Sequence, residues 1–325
     1  MKRVLKKISI IFIFLFIFLS LIPYVIPVTS YLDFSEYKPF PESQTQEISK
    51  IIIHYRIWYP EKEIPEGKIL LIHGLGGSTY SWNKNVEFLK ESGYIVVALD
   101  LPGFGHSSRN PGVNHSQKSR SDLIWNVLDN IDQSLYIDDN IEQWILAGHS
   151  MGAGTVTTMA MERPTGTKAL VLVDGALFDN NKGRASFALK YPPAGRWLEV
   201  ILRHLLFKED KIEAFLTSAY GVMPSTEDVK GYLKPLILPG TESALLDFVK
   251  TARSEKVDSS IFSDIPTFAI WGGDDTWVPL EQAIKIQSLI PAMKLEVIEG
   301  AAHCPMETHY DLFNQKLIDF LTTIK

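Results

Sequence analysis

Cysteine is almost absent from this chain, whose 325 residues include one, Cys304. A single thiol excludes an internal disulfide framework and any zinc site built from several thiolates. Basic side chains are also too few to give a positive surface, since 32 Lys and Arg stand against 38 Asp and Glu, for a net charge of −6. We therefore expect no nucleic-acid partner, because no large basic field exists to hold one.

Hydrophobic residues make up 46% of the chain and charged residues 22%. Both values are close to the average for soluble globular proteins, which argues against wholesale disorder. The length suits either two ordinary domains or one larger α/β domain that carries an insertion.

The first 30 residues contain no acidic side chain. Their basic residues all precede an apolar run over residues 8–22, and they are Lys2, Arg3, Lys6 and Lys7. A bilayer-spanning helix needs about 20 apolar residues, so the run must continue to Val28, through two prolines, to reach that length. Lysines before the run and none just after it predict a membrane anchor with the N-terminus in the cytoplasm and the body outside.

A cleaved signal peptide is the alternative for residues 1–30. The apolar run has a suitable length for such a peptide, and small residues near Ser30 offer a cleavage site. In that case the body would be secreted rather than tethered.

The rest of the chain changes character three times. Residues 31–47 are rich in Pro, Ser, Gln and Glu, and they are predicted to form a linker. In residues 48–178 short apolar strands alternate with helical segments, which is typical of a parallel sheet buried on both faces. Only helical patterns separated by prolines occupy residues 179–264, and the strand rhythm resumes in residues 265–325. We therefore predict one α/β core in two parts with a helical insert.

Residues 148–152 read Gly-His-Ser-Met-Gly, between a predicted strand and a predicted helix. This is the G-x-S-x-G pattern of a nucleophile elbow in the setting that it requires. A side chain at either glycine would collide with neighbouring backbone in so tight a turn. The turn would raise the hydroxyl of Ser150 above the sheet, at a helix N-terminus that favours developing negative charge. Ser150 is the predicted nucleophile.

A serine hydroxyl needs a base to take its proton. His303 fits this role, because it follows the last predicted strand, late in the chain. Most of the other histidines are predicted to be loop or surface residues, and these are His54, His73, His106, His115, His149, His204 and His309.

The base needs a carboxylate that fixes its tautomer and stabilises the imidazolium. Asp274 and Asp275 both follow the preceding strand, and either could reach His303. Asp174, at the end of an earlier strand, is a further candidate.

Two backbone N–H groups should form an oxyanion hole. Met151 is one donor, because it directly follows the nucleophile. The glycine-rich loop over residues 73–77 should supply the other, and Leu75 is the favoured donor. The loop lacks the lysine and the spacing of a phosphate-binding loop.

These motifs together resemble the α/β-hydrolase superfamily, in the branch that has a helical cap between strands six and seven. The resemblance rests on residues 73–77, 100–107, 148–152 and 272–275 and on His303. It implies the α/β-hydrolase fold, with a mostly parallel central sheet, helices on both faces and an inserted helical cap. It also selects Asp275 as the acid, and it implies that the loop after Asp100 is structural and that no metal or organic cofactor is needed.

The resemblance implies a serine hydrolase that forms an acyl-enzyme. Haloalkane dehalogenases and epoxide hydrolases of this superfamily use an aspartate nucleophile, so Ser150 argues against both. We favour a carboxylic ester hydrolase acting on a small or medium apolar substrate. A carbon–carbon bond hydrolase, a perhydrolase or an aminopeptidase of the same fold is an alternative, and a non-catalytic ligand-binding protein is an alternative of a different class.

Aromatic residues of the insert are expected mainly to pack, with a few lining an apolar pocket. They include Tyr191, Trp197, Phe207, Phe215, Tyr220, Tyr232 and Phe248. Trp82 is expected either to close that pocket or to pack in the core, and Cys304 is expected to be a small packed residue.

Overall fold

The computed structural model describes residues 2–28, 32–34, 38–135, 143–178, 189 and 191–324. The candidate cleavage site around Ser30 and the first residues of the predicted insert lie outside the described residues.

Eight strands form one sheet, in the order β1-β2-β4-β3-β5-β6-β7-β8. They are β1 (Ser43–Ile48), β2 (Ile51–Trp58), β3 (Gly67–Ile72), β4 (Tyr94–Leu99), β5 (Trp144–His149), β6 (Thr167–Val173), β7 (Thr267–Gly272) and β8 (Lys294–Ile298). The pairs β1–β2 and β2–β4 are antiparallel, and every pair from β4 to β8 is parallel. The predicted mostly parallel sheet is therefore confirmed.

Helices cover both faces of the sheet, as predicted. They are α2 (Val86–Glu91), α3 (Gln117–Ser134), α4 (Met151–Glu162), α9 (Leu280–Leu289), α10 (Pro305–Thr308) and α11 (Tyr310–Thr323). One apolar cluster joins Leu70 and Ile72 of β3 to α3, α4 and α9, and the other joins Ile69 and Leu71 to α2 and α11. Because successive strand side chains point to opposite faces, this double cover explains why β3 is apolar at almost every position.

Among the residues that the structure describes between β6 and β7, four helices form a cap. They are α5 (Pro192–Ile201), α6 (Glu209–Tyr220), α7 (Thr226–Leu236) and α8 (Thr241–Thr251), and a π-helical turn (Leu202–Leu206) continues α5. Gly221 ends α6 with φ of 69°. At the start of α7, Ser225 and Asp228 each accept a hydrogen bond from the other's backbone N–H. The described residues of the segment 179–264 contain no strand.

The predicted linker over residues 31–47 is wrong for its last residues. Residues 43–47 belong to β1, which forms a hairpin with β2. The two residues between these strands, Ser49 and Lys50, both have positive φ, at 50° and 71°, as a tight hairpin turn requires. Glycine or asparagine usually marks such a turn, and the edge strand itself is polar, so the composition indicated a linker.

An N-terminal helix, α1 (Lys2–Leu21), extends from the core with most of its described side chains exposed. The segment Arg3–Tyr24 is long and apolar enough to cross a membrane, by length and composition only, and a signal sequence passes the same test. The backbone around the end of α1 nevertheless contacts the cap. Trp197 donates a hydrogen bond to the carbonyl of Leu19 (2.8 Å), and Arg196 donates to that of Pro23 (3.1 Å).

Candidate active site

Ser150 lies in the sharp turn between β5 and α4, with φ of 51° and ψ of −116°. Such a backbone conformation is strained for a residue other than glycine. The two flanking glycines have no room for a side chain. A Cβ on Gly148 would lie 2.5 Å from the backbone of Gly152, and a Cβ on Gly152 would lie 2.5 Å from the carbonyl oxygen of Ile72. The close packing that the motif predicts is therefore present.

The structure brings Ser150, His303 and Asp275 together in a chain of hydrogen bonds. The Oγ of Ser150 is 3.0 Å from Nε2 of His303, and Nδ1 of His303 is 2.7 Å from Oδ2 of Asp275. Because the carboxylate can only accept, Nδ1 carries the proton, and Nε2 is left to accept the hydrogen of the serine hydroxyl. This is the arrangement needed to remove a proton from a serine.

Asp275, rather than Asp274, reaches His303. Asp274 is exposed, whereas Asp275 is buried and its Oδ1 accepts hydrogen bonds from the backbone N–H groups of Trp277 (2.7 Å) and Val278 (3.0 Å). Burial alone would raise the pKa of Asp275, but the hydrogen bond and charge of His303 and the backbone donors leave it below its usual value. The group is thus a carboxylate across the neutral pH range.

Asp174, the further candidate, lies beside this pair. One oxygen of Asp174, one of Asp275 and one ring nitrogen of His303 lie within 4.8 Å of one another, and among the described residues no other three His, Cys, Asp or Glu side chains are grouped in this way. The His303–Asp275 hydrogen bond already occupies two members of the group. We therefore assign no metal ligand there.

The segments that carry the two predicted oxyanion donors both adjoin Ser150. Met151 is the first residue of α4, where a backbone N–H has no acceptor within the helix. The Gly74–Leu75 loop passes so close that a Cβ on Gly74 would be 3.1 Å from Cβ of Ser150. His73 fixes this loop, because its Nδ1 donates to the carbonyl of Gly74 (2.7 Å) while its Nε2 accepts from the backbone of Leu101 (3.1 Å).

His149 holds the backbone of His303 through a hydrogen bond. Its Nε2 donates a hydrogen bond to the carbonyl oxygen of His303 (2.7 Å), and the backbone N–H of His303 donates to Ala219 of the cap (2.9 Å). Burial, followed by the neighbouring charge of His303, lowers the pKa of His149 to about 3. A neutral His149 therefore fixes the backbone on which the base is mounted.

A cavity of about 180 Å³ opens at Ser150. Its described lining is mainly apolar and contains no Lys, Arg, Asp or Glu; it consists of Gly74, Leu75, Gly77, Ser81, His149, Ser150, Phe215, Leu216, Ala219, Tyr232, Trp277, Val278, His303 and Cys304. Of the aromatic residues expected in the cap, Phe215 and Tyr232 line this cavity. Trp82 does not, since it is buried in the core.

Trp277 is a lining residue that the sequence reasoning missed. Its ring centroid is 5.2 Å from that of His303 and 5.0 Å from that of Phe215, so it connects the base to the cap. Its position in the sequence could have indicated this role, because it follows Asp275 by two residues in the same loop.

A polar network closes one side of the cavity. Ser81 donates to the hydroxyl of Tyr232 (2.9 Å), and Tyr232 donates in turn to Glu307 (2.6 Å), which also accepts from Tyr220 (2.7 Å). Burial raises the pKa of Glu307 to about 8, although the two tyrosine hydrogen bonds oppose the rise.

The prediction that most of the other histidines lie in loops or at the surface is wrong for two of them, His54 in β2 and His149 in β5, which are buried strand residues. His73, His106 and His115 lie in loops, as predicted, but these loops pack inward and the three side chains are buried. Local patterning does not report how deeply such loops are buried.

His54 belongs to a second set of Ser, His and Asp hydrogen bonds. Its Nδ1 donates to Asp100 (2.7 Å), and its Nε2 is 2.8 Å from Oγ of Ser43. All three side chains are almost completely inaccessible to solvent. Asp100 also accepts a hydrogen bond from the backbone of Thr79 (2.6 Å), so this buried set connects β1 and β2 to the segments that follow β3 and β4, as a structural role requires.

Comparison with known proteins places the chain in a family. Residues 68–310 match the family model for the alpha/beta hydrolase fold. The chain is 28% identical over 266 residues to a 2-hydroxy-6-oxononadienedioate/2-hydroxy-6-oxononatrienedioate hydrolase of Cupriavidus pinatubonensis, covering 78% of this chain and 86% of that protein.

Two solved structures are similar in fold. A bacterial membrane phospholipase A superimposes with a TM-score of 0.66 at 20% identity, covering 100% of this chain and 99% of that one. A structure reported with carboxylesterases of Nitrososphaera gargenis has a TM-score of 0.66 at 20% identity, covering 86% and 98%. With the family match over most of its length, the chain belongs to the alpha/beta hydrolase fold family.

Proposed function

We propose that this chain is a serine hydrolase that cleaves carboxylic esters of small or medium uncharged, apolar substrates. The observation that carries the proposal is the hydrogen-bonded series from Ser150 through His303 to Asp275, opening into an apolar cavity. The buried His54–Asp100 pair shows that a histidine beside a carboxylate can serve folding alone, but the hydroxyl of Ser150 differs from that of Ser43 because it opens into a cavity.

In the first half of the reaction, Ser150 Oγ attacks the ester carbonyl carbon while Nε2 of His303 takes its proton. Asp275 stabilises the imidazolium that forms. The negative charge moves to the carbonyl oxygen, where the backbone N–H groups of Leu75 and Met151 would donate hydrogen bonds. His303 then gives the proton to the departing alkoxide, which leaves as the alcohol.

In the second half, a water molecule attacks the carbonyl carbon of the acyl-enzyme. His303 takes one proton of the water, and the same two backbone donors hold the oxyanion. Collapse breaks the bond to Oγ, the proton returns to Ser150, and the acid leaves.

Relatives that hydrolyse carbon–carbon bonds make that reaction the second candidate. The substrate in the printed name of the Cupriavidus protein is a dienedioate, which carries two carboxylates. The described lining of the cavity holds no Lys or Arg. Burying a carboxylate without a positive partner is unfavourable, so this cavity favours an uncharged ester.

We further propose that α1 remains in the mature protein as an anchor. The cap holds the backbone that follows α1, because Arg196 donates to the carbonyls of Pro23 (3.1 Å) and Ile26 (2.9 Å) and His204 donates to that of Pro27 (2.9 Å). A cleaved signal peptide would leave these donors without their acceptors. The lysines before the apolar run support a catalytic body outside the cytoplasm.

A panel of 4-nitrophenyl esters from acetate to decanoate tests the ester proposal, with Ser150→Ala as the reference. We expect hydrolysis that requires Ser150 and is fastest for short acyl chains, because the cavity is small. Inactivity on every ester together with cleavage of a vinylogous diketone would instead select the carbon–carbon hydrolase.

A further inference from the structure

Asp174 is a completely buried carboxyl group at the end of β6. Its φ of 44° is unusual for a residue other than glycine. One oxygen, Oδ1, accepts a hydrogen bond from the backbone N–H of Gly272 at the end of β7 (2.9 Å). Among the described residues, Oδ2 has no hydrogen-bond donor, although it is buried. An ionised carboxylate would leave that oxygen unsatisfied, at considerable energetic expense.

The group beside Asp174 is the carboxyl group of Asp275, since one oxygen of each lies within 4.8 Å of the other, so a proton between them would let the two groups share a hydrogen bond. Two carboxyl groups can share one only if one of them holds a proton. Three donors converge on Asp275, namely Nδ1 of His303 and the backbone N–H groups of Trp277 and Val278, whereas Asp174 receives one. The proton therefore belongs on Asp174.

The other titratable groups around Asp174 agree with this assignment. His303 interacts with Asp275, and the buried thiol of Cys304, the next residue in the chain, is kept neutral because burial raises its pKa. Burial, and then the charge of Asp275, raises the pKa of Asp174 well above its usual value. No described cation pairs with it.

We propose that Asp174 is a positioning residue whose protonated carboxyl group donates a hydrogen bond to the Asp275 carboxylate and keeps that carboxylate directed at His303. The inference rests on the proposed function, because it concerns the same three residues. The hydrogen bond from Asp174 draws part of the negative charge of Asp275 toward itself. Asp275 therefore stabilises the imidazolium of His303 less strongly than it would without that donor. The acid that orients the base is thus itself oriented by a second, neutral acid.

Two variants separate this role from a merely structural one. Asp174→Ala removes the donor, and we expect kcat to fall about tenfold while KM changes less than about twofold, because the loss concerns the transition state. Its acidic limb of kcat/KM should move to higher pH by about half a unit, since Asp275 then attracts the imidazolium proton more strongly. Asp174→Asn supplies a neutral N–H donor of the same shape, and it should keep kcat within about threefold and leave the limb in place.

If Asp174 were ionised in the wild type, replacing it with a neutral residue would move the acidic limb of kcat/KM to lower pH instead. If Asp174→Asn moves the acidic limb to lower pH by half a unit or more, the residue is ionised in the wild type and the proposal is wrong. Wild-type kcat and pH profile in Asp174→Ala would also overturn it. If that variant fails to fold, the Asn variant decides alone.

An NMR titration of His303 keeps the test independent of turnover. Its Nδ1–H resonance should titrate at the same pH in wild type and Asp174→Asn, whether or not any ester is hydrolysed; a lower value in the variant contradicts the proposal. Failure of the proposed function would instead appear as an unreactive Ser150 in wild type.

Discussion

At the scale of single residues, Gly74 packs so closely against His149 and Ser150 that a side chain has no room there. A Cβ at this position would approach Nδ1 of His149 to 2.8 Å and Cβ of Ser150 to 3.1 Å. Both neighbours are buried or held by hydrogen bonds, so the added methyl group would push the Gly74–Leu75 loop away from the nucleophile. If Leu75 supplies an oxyanion donor as proposed, the position of that N–H depends on the absence of a side chain at Gly74.

We predict that Gly74→Ala lowers kcat/KM for 4-nitrophenyl acetate by about ten- to a hundredfold, because one oxyanion donor is displaced. Gly166→Ala is the matched control, since its Cβ would first meet Trp125 at an ordinary 3.4 Å. Steady-state kinetics with thermal unfolding of both variants checks this. If Gly74→Ala and Gly166→Ala have equal kcat/KM, the assignment of Leu75 as an oxyanion donor is wrong.

Sequence motifs identified the reacting residues more readily than their surroundings. Ser150 lies in a motif whose glycines are fixed by steric contact, and His303 follows from chain order. The choice between Asp274 and Asp275 needed the family resemblance, because adjacent side chains in a loop can point in either direction. The buried pair His54 and Asp100 was beyond local reasoning, since its partner Ser43 comes from a strand that the composition did not reveal.

At the scale of elements, Glu307 connects the core to the cap. It lies in α10 and accepts hydrogen bonds from Tyr220 at the end of α6 and Tyr232 in α7. In the folded protein its pKa is about 8, because burial disfavours the charged form. The pKa of an exposed glutamate is about 4.3. Between these pH values the folded state holds a proton that the unfolded state has lost.

We predict that this proton makes the wild type lose stability as pH rises from about 5 to 8, with no further loss from this group above that range. Glu307→Gln cannot ionise, so its free energy of unfolding should increase relative to wild type across the same interval. Urea unfolding at several pH values measures the difference. The exposed Glu281→Gln serves as control, and pH curves for Glu307→Gln parallel to wild type would refute the assignment.

The helix α1 is a separate element, exposed along its length but followed by backbone that the cap holds. Deleting residues 2–21 should move the protein from the membrane fraction to the soluble fraction. Hydrolysis of soluble esters should stay within about threefold of wild type, because none of the described cavity residues belongs to α1. Fractionation with intact-mass analysis checks this prediction, and a soluble wild-type protein that begins near residue 30 would instead indicate a signal peptide.

Apolar patterning was sufficient for the central strands, because burial on both faces leaves them few alternatives. It failed at β1, which is polar, at the sheet edge and dependent on a hairpin turn at Ser49 and Lys50. Long-range pairing with β2 creates that strand, and local composition carries no signal for such pairing.

At the scale of the whole molecule, the cavity is assembled from segments far apart in sequence. Gly74 follows β3, Phe215 lies in the cap and Trp277 follows β7, and their meeting depends on the complete fold. The sequence could therefore predict the reacting group but not the volume or charge of the space around it. Both of these properties set the substrate.

The lack of a described cation in the cavity predicts discrimination against anionic substrates. The 4-nitrophenyl monoester of glutaric acid should be hydrolysed at least about thirtyfold less efficiently than 4-nitrophenyl valerate, which has the same chain length without the terminal carboxylate. Values of kcat/KM for the two esters measure this directly. A preference for the anionic ester would favour a dienedioate-like substrate instead.

The central claim is that Ser150, and no other serine, is an activated nucleophile. The molecule contains its own control, because Ser43 has a comparable His–Asp arrangement but is buried beyond the reach of substrate. The most direct measurement is peptide mapping by mass spectrometry after treatment with a fluorophosphonate probe. We expect one adduct, on Ser150, which persists in Ser43→Ala and disappears in Ser150→Ala. A folded wild-type protein that stays unlabelled, or an adduct that survives Ser150→Ala, would show that Ser150 is not the nucleophile.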